Sequence, residues 1–245
     1  RLRYYLMAIA ASGVISLADL QTEFGTTSPV SLSDFYLDGS IVTSNNTDVP
    51  NSGSPISLSD FYSSTNVVSV IYELIGAGGG GGFGVEDGGS SGVAPSGGAT
   101  SLSGTGISAS SSGAAGGGNG NISRLAFHGG AASHYGSGGA AGPNLSVGGN
   151  APSTSYGAGG GGGGGDSPSL FDSAGNAGSG GSAASRVTGT AVMAPSTVIT
   201  VTIGTAGAGA SGQFSGGSGA GGYVRLQVGN TVQEFTSSGT FTVPS

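Results

Sequence analysis

Hydrophobic residues gather towards the two ends of this chain and thin out between them. Val67-Val68-Ser69-Val70-Ile71-Tyr72-Glu73-Leu74-Ile75 alternates, with Val68, Val70, Tyr72 and Leu74 on one face and Ser69, Ile71, Glu73 and Ile75 on the other. That period of two predicts a β-strand. Thr197–Ile203 predicts a second strand and Gly222–Val228 a third. Thr231–Phe235 and Gly239–Val243 read as a hairpin pair around Ser237-Ser238-Gly239. Helix signals are confined to the first 66 residues.

Those residues contain a repeat. Thr27-Ser28-Pro29-Val30-Ser31-Leu32-Ser33-Asp34-Phe35-Tyr36 recurs as Gly53-Ser54-Pro55-Ile56-Ser57-Leu58-Ser59-Asp60-Phe61-Tyr62, with a weaker echo at Val14-Ile15-Ser16-Leu17-Ala18-Asp19-Leu20. Proline holds each lead-in extended. Ser31 or Ser57 then caps a short helix, with Asp34 or Asp60 three residues on completing a box-like arrangement. Leu32, Phe35 and Tyr36 form one apolar face, and Leu58, Phe61 and Tyr62 another. Ser16 caps a helix over Leu17–Phe24 that Gly25 ends. Units of one or two turns need something to pack on, so these six residues are expected to anchor the modules on a neighbour or on each other. The competing reading is of ordinary capped surface helices. Residues 39–54 form a polar linker.

Composition changes the picture between these ends. The chain holds 55 glycines in 245 residues, against about 7% in ordinary domains, and most lie between Gly76 and Gly222. Glycine buries no side chain and loses the most freedom on folding, so the backbone must build this region and oligomerisation, here as a trimer, is the expected remedy for a scarce core. An isolated Gly/Ser tract is a flexible linker. Here strands bracket the block, and Phe83, Val85, Leu125, Phe127, Tyr135, Leu145, Tyr156, Leu170 and Phe171 interrupt it. Collagen is excluded, because the strict triplet and abundant proline are missing. The unbroken runs Gly78–Gly82 and Gly159–Gly165 suit packed, left-handed, polyglycine-II-like spirals with backbone groups paired between them. The expected fold is therefore mainly β, with helical modules in 1–66 and a glycine-rich β domain in 67–245.

Charge excludes several functions. Five Arg, no Lys and 12 acidic residues give a net charge of −7. No basic patch is available for nucleic acid, and no apolar run approaches the length of a membrane helix. Arg1–Ala10 has the outline of a signal peptide with too short an apolar stretch, and Met7 is the expected start, with residues 1–6 read from upstream sequence. There is no cysteine. His128 and His134 stand six apart without a metal-ligand pattern. Gly76–Gly82 follows a strand as a phosphate loop would, but no Lys and no helix follow. Glu86 and Asp87 are adjacent, which does not place two carboxylates across a glycosidic bond. Neither an enzyme nor a cofactor is expected. The aromatic residues between glycine runs are the binding candidates: Phe127, His128, His134 and Tyr135 in one segment, Leu170 and Phe171 in another. They either meet a sugar or outer-membrane protein or supply the domain's own few side-chain contacts.

The run Val70-Ile71-Tyr72-Glu73-Leu74-Ile75-Gly76-Ala77-Gly78-Gly79-Gly80, followed later by Val201–Gly209 and Ser218–Gly222, resembles the glycine-rich domain of phage tail-fibre and tail-tip proteins. The Pro29–Tyr36 and Pro55–Tyr62 modules, with Ile15–Gly25, look like short modules common near the N-termini of phage structural proteins. Glu234–Pro244 departs from the pattern, since such a segment opens a glycine-rich domain in that family. The resemblance implies a virion exterior protein, anchored to other virion proteins through 1–66 and attaching to a host receptor or glycan through its loops. Alternatives are a capsid decoration, head-fibre or baseplate protein with a purely structural role, and a cellular glycine-rich adhesin.

Overall fold

The structure, a computed structural model, describes residues 9–26, 31–39, 41–42, 46–85, 92–118, 129–143, 146–164 and 177–244. Strand exceeds helix among them. The strands are β1 (Val68–Ile75), β2 (Thr100–Gly104), β3 (Ile107–Ser111), β4 (Arg186–Met193), β5 (Val198–Thr202), β6 (Tyr223–Val228), β7 (Thr231–Phe235) and β8 (Gly239–Thr242). They form two four-stranded antiparallel sheets in the orders β4-β1-β6-β7 and β3-β2-β5-β8. The chain divides into two compact units: Arg1–Val70 with Thr190–Val198 and Thr242–Ser245, and Ile71–Gly189 with Ile199–Phe241.

In the first unit, Leu17–Phe24 is a helix, α1, and Leu32–Phe35 and Leu58–Phe61 are single 3-10 turns. The Ser16 amide donates to Asp19 Oδ2 at 2.7 Å, and the Asp19 amide donates back to Ser16 Oγ at 3.3 Å. The Ser31 and Ser57 amides donate to Asp34 and Asp60 in the same way, at 2.8 and 2.7 Å. Gly25 ends α1 at φ +68°, a conformation glycine adopts without strain. The modules share one core of Ile9, Ile15, Leu20, Phe24, Phe35, Val42, Val49 and Phe61. Phe35 meets Phe24 and Phe61 with ring centroids 6.0 Å apart in each pair.

In the second unit, β1 runs directly into the spiral of residues 76–84, and the hydrogen bonding changes period from two to three. The amides of Ala77, Gly80 and Phe83 donate to the carbonyls of Gly98, Pro95 and Gly92. Those of Gly78, Gly81 and Gly84 donate to Ala220, Gly217 and Phe214, and those of Gly79 and Gly82 to Ser182 and Ser179. The carbonyls go to three other runs: Ala77 and Gly80 accept from Ala114 and Gly117, Gly78 and Gly81 from Gly207 and Ala210, Gly79 and Gly82 from Gly160 and Gly163. Donor and acceptor runs alternate around the spiral, and bonds between the neighbours close the ring; Gly97 donates to Ala114, Ser182 to Ala115, Gly181 to Gly160, Gly217 to Gly161, Gly219 to Gly207, and Gly98 to Thr205. A second spiral, 157–164, is enclosed in the same manner by the runs at 76–84, 131, 139–142, 146–149, 177–184 and 214–221.

These enclosed spirals hold the two long glycine runs of the sequence because every residue in them faces a neighbouring backbone. A Cβ on Gly80 would lie on the Ala208 carbonyl, and one on Gly161 on the Ala140 carbonyl. Peripheral runs carry a side chain where one residue in three faces outward: Val93, Ser96 and Ala99; Ser137, Ala140 and Pro143; Thr205, Ala208 and Ser211 are all exposed. Buried hydroxyls serve the change from sheet to spiral. Ser111 Oγ accepts from the Gly76 amide at 3.0 Å, and Thr100 Oγ1 from the Gly204 amide at 3.1 Å. Both residues are at most 1% exposed, and the bonds spare those amides the cost of burial without a partner.

One expected pairing fails. Thr231–Phe235 and Gly239–Val243 do not pair as a hairpin: β7 pairs with β6, from Val224↔Phe235 to Val228↔Thr231, and β8 lies beside β5 in the other sheet. The tight turn is Gly229-Asn230, with Gly229 at φ +54°. The hairpin of β2 and β3 around Thr105-Gly106 lies in a stretch whose Ser, Gly and Ala content hides the alternation, and in β4 the Val and Thr positions are interrupted by Gly189 and Ala191.

Candidate functional site: a tyrosine-clamped turn on the glycine body

Among the predicted binding residues, Phe127, His128, Leu170 and Phe171 lie outside the described residues, as does Arg124. His134 and Tyr135 are the two central residues of a tight turn. The Ser133 amide donates to the Gly136 carbonyl at 2.9 Å, and the Gly136 amide returns to Ser133 at 3.4 Å. The Tyr135 amide donates to Ser133 Oγ at 3.2 Å, and that hydroxyl donates to the Ser155 carbonyl at 3.3 Å. Gly136 sits at φ +152°, and a Cβ there would meet the side chain of the buried Ser155. The turn is thus seated on the neighbouring 152–157 turn.

The turn's two side chains part company. His134 is exposed, while Tyr135 is half-buried. The Tyr135 ring lies 5.0 Å from Tyr223 and 5.6 Å from Tyr156, and Tyr156 stacks on Tyr223 at 4.7 Å with 13° between planes. His134 stands edge-on to Tyr135 at 5.3 Å. Tyr223 opens β6 and is buried. Beneath the rings runs a polar chain. Arg186, at the start of β4, pairs with Glu73 of β1 through Nε and Oε1 at 2.5 Å. The Tyr135 hydroxyl lies within hydrogen-bonding reach of Glu73 and Tyr223, and the Tyr223 hydroxyl within reach of Tyr135 and Glu234. Burial pushes both phenols above the ordinary tyrosine value, and the neighbouring carboxylates add to the rise. The pairing explains how Glu73, on a strand with apolar neighbours, is 8% exposed.

Sequence reading singled out Tyr135 but not the group it joins. Tyr156, Tyr223, Glu73, Arg186 and Glu234 come from separate strands and turns. The available signal was the scarcity of cations, which made a partner for Arg186 worth seeking.

Of the anchoring residues, Phe35 and Phe61 are fully buried. Leu32, Leu58 and Tyr62 pack against the same core from its edge. The two tyrosines also link the modules. The Tyr36 hydroxyl donates to the Ser54 carbonyl at 2.9 Å and the Tyr62 hydroxyl to Gly13 at 2.5 Å. Ser54 and Gly13 each stand three residues before the capping serine of another module, so each tyrosine holds the lead-in of a different repeat. Leu20, Phe35 and Phe61, four residues after their caps, are all 0% exposed. The echo at Ile15–Leu20 is therefore a third member of the set.

Among the described residues no group of three His, Cys, Asp or Glu side chains gathers to hold a metal, and no helix is long and apolar enough to cross a membrane. Comparison of the chain with protein-family models, curated proteins and solved structures gives no match.

Proposed function

We propose that this protein is a structural component of a phage particle, of the tail-fibre or tail-tip kind, and that it contributes to attachment at the host surface. The observation that carries the reading is the enclosure of spirals 76–84 and 157–164 by backbone hydrogen bonds on all sides. Three-residue periodicity and the exclusion of Cβ atoms from their interiors are the features of a polyglycine-II-like bundle. Such a body spends its sequence on a scaffold and leaves side-chain chemistry to the turns between runs, where binding groups are held in place by what lies beneath them. The turn at 133–136 is one such place, with an exposed imidazole over a fixed aromatic base. The N-terminal unit, with its linked modules, is the part assigned to contact with other virion proteins.

The full-length chain, fluorescently labelled and checked for mass by light scattering, is to be titrated onto a panel of Gram-negative and Gram-positive cells. Saturable binding to some strains, lost on their receptor-deficient derivatives, is the expected result. A folded protein that binds no strain would sink the attachment role and leave particle architecture alone.

A further inference from the structure

We propose that Tyr135 is a positioning residue and that His134 is the group the 133–136 turn presents to a partner. The clamp follows from the contacts of the free protein, and only the identity of what His134 meets rests on the attachment reading. Four residues of a glycine-rich connection have little to hold them. This turn has two backbone bonds of its own, a bond from the Tyr135 amide to Ser133 Oγ and one hydroxyl bond to Ser155, and its aromatic contacts run through one ring. Tyr135 touches Tyr156, Tyr223 and His134 at once, and its hydroxyl reaches Glu73, which Arg186 holds in turn. Tyr223 is fixed within β6 and buried, so the clamp is tied to the sheet rather than to another turn.

His134 has no comparable seat. It is exposed, and its ring stands perpendicular to that of Tyr135, 5.3 Å away. A fixed ring beneath an exposed imidazole restricts the rotamers open to it, and a side chain ordered before contact loses less entropy on binding. Tyr135, being half-buried against three partners, contributes through His134 rather than by touching the partner itself.

The test has two readouts on the full-length chain. In the free protein, amide hydrogen exchange at Ser133 and Gly136 should quicken by about tenfold or more in Tyr135→Ala, with exchange at Gly79 and Gly160 unchanged. Tyr135→Phe keeps the ring contacts and should stay within about twofold of the parent. Exchange in Tyr135→Ala equal to the parent's overturns the clamp; if that variant fails to fold, Tyr135→Leu serves, with the same expectation. On cells that bind the parent, His134→Ala and Tyr135→Ala should each weaken binding by about tenfold, and the double variant should be no weaker than His134→Ala. Fully additive losses would make Tyr135 a contact in its own right and overturn the division of roles. Should the parent bind no cell type, the attachment reading falls, while the exchange measurement still decides the clamp.

Discussion

In the N-terminal unit, Phe35 and Phe61 are buried to 0% and pack ring against ring; in the glycine body, the two enclosed spirals bury Gly78–Gly82 and Gly159–Gly164, which have no side chains at all. The first interior is stabilised by removing apolar area from water, about 25 cal/mol per Å². The second removes little apolar area and fixes the residue type that loses most conformational freedom. Its stability rests on satisfied backbone bonds. Each contributes only about 1 kcal/mol net, but a buried donor or acceptor left unpaired costs about 1–3 kcal/mol. The difference is one of tolerance. A hydrophobic core accepts a changed side chain at a graded cost. A backbone core has no side chain to change, and any atom added to it strikes main chain.

The largest expected effect tests that contrast directly. Gly80→Ala or Gly161→Ala should cost about 4 kcal/mol or more, seen as loss of the folded fraction in chemical denaturation or as aggregation on expression. Unchanged melting would show that the spirals give way easily and that the contrast is false. Next, Phe61→Ala should cost about 3–5 kcal/mol. Hydrogen exchange should report the loss at amides of the first unit, such as Ser64 and Val49, before those of 76–84.

A smaller effect is expected at high pH. Tyr135 and Tyr223 both have values raised above the ordinary 10.0, so the unfolded chain releases these protons first. The stability they contribute is complete below pH 10 and declines as pH rises above it. Phenolate absorbance should show two tyrosines that ionise above the ordinary range in the folded protein and return to it on unfolding. Ser16→Ala should cost about 1 kcal/mol. The Ser16 side chain holds the Asp19 carboxyl below its ordinary value, so the same variant should raise that value in an NMR titration. Asp19's contribution in the parent is present above the ordinary carboxylate range and lost as pH falls through the lowered value. The smallest effect belongs to Gly118→Ala. A Cβ there meets nothing within 4 Å, and the change should lie within about 0.5 kcal/mol of neutral.

Legibility in the sequence followed the same divide. α1 with its Ser16 cap and Gly25 terminus, the capping boxes of Ser31 and Ser57 and the strands at 68–75, 198–202 and 223–228 were all readable, because caps and alternation are written in side chains. The partners of the glycine runs were not. Gly79 donates to Ser182 and Gly82 to Ser179, yet no feature of either segment names the other, since backbone groups are alike at every position. The pairing of β7 with β6 was missed because Gly229-Asn230 was passed over in favour of Ser237-Ser238-Gly239. The candidate site was half-legible. Tyr135 and His134 stood out as aromatic residues among glycines, but the sheet residues beneath them were ordinary strand positions until the chain was folded.

A spiral of three residues per turn has a consequence for how such a chain can change length. One glycine added to 76–84 would rotate everything beyond it by a third of a turn and aim each donor at the wrong neighbour. Three would add one full turn, about 9.3 Å of rise, and restore every direction. The triplet is therefore the step by which this body can lengthen or shorten, provided that the flanking runs change with it. The strands adjoin the spirals at one end, where β1 stops at Ile75 and β2 begins at Thr100; their side chains fix one register, and they act as the ruler from which those steps are counted.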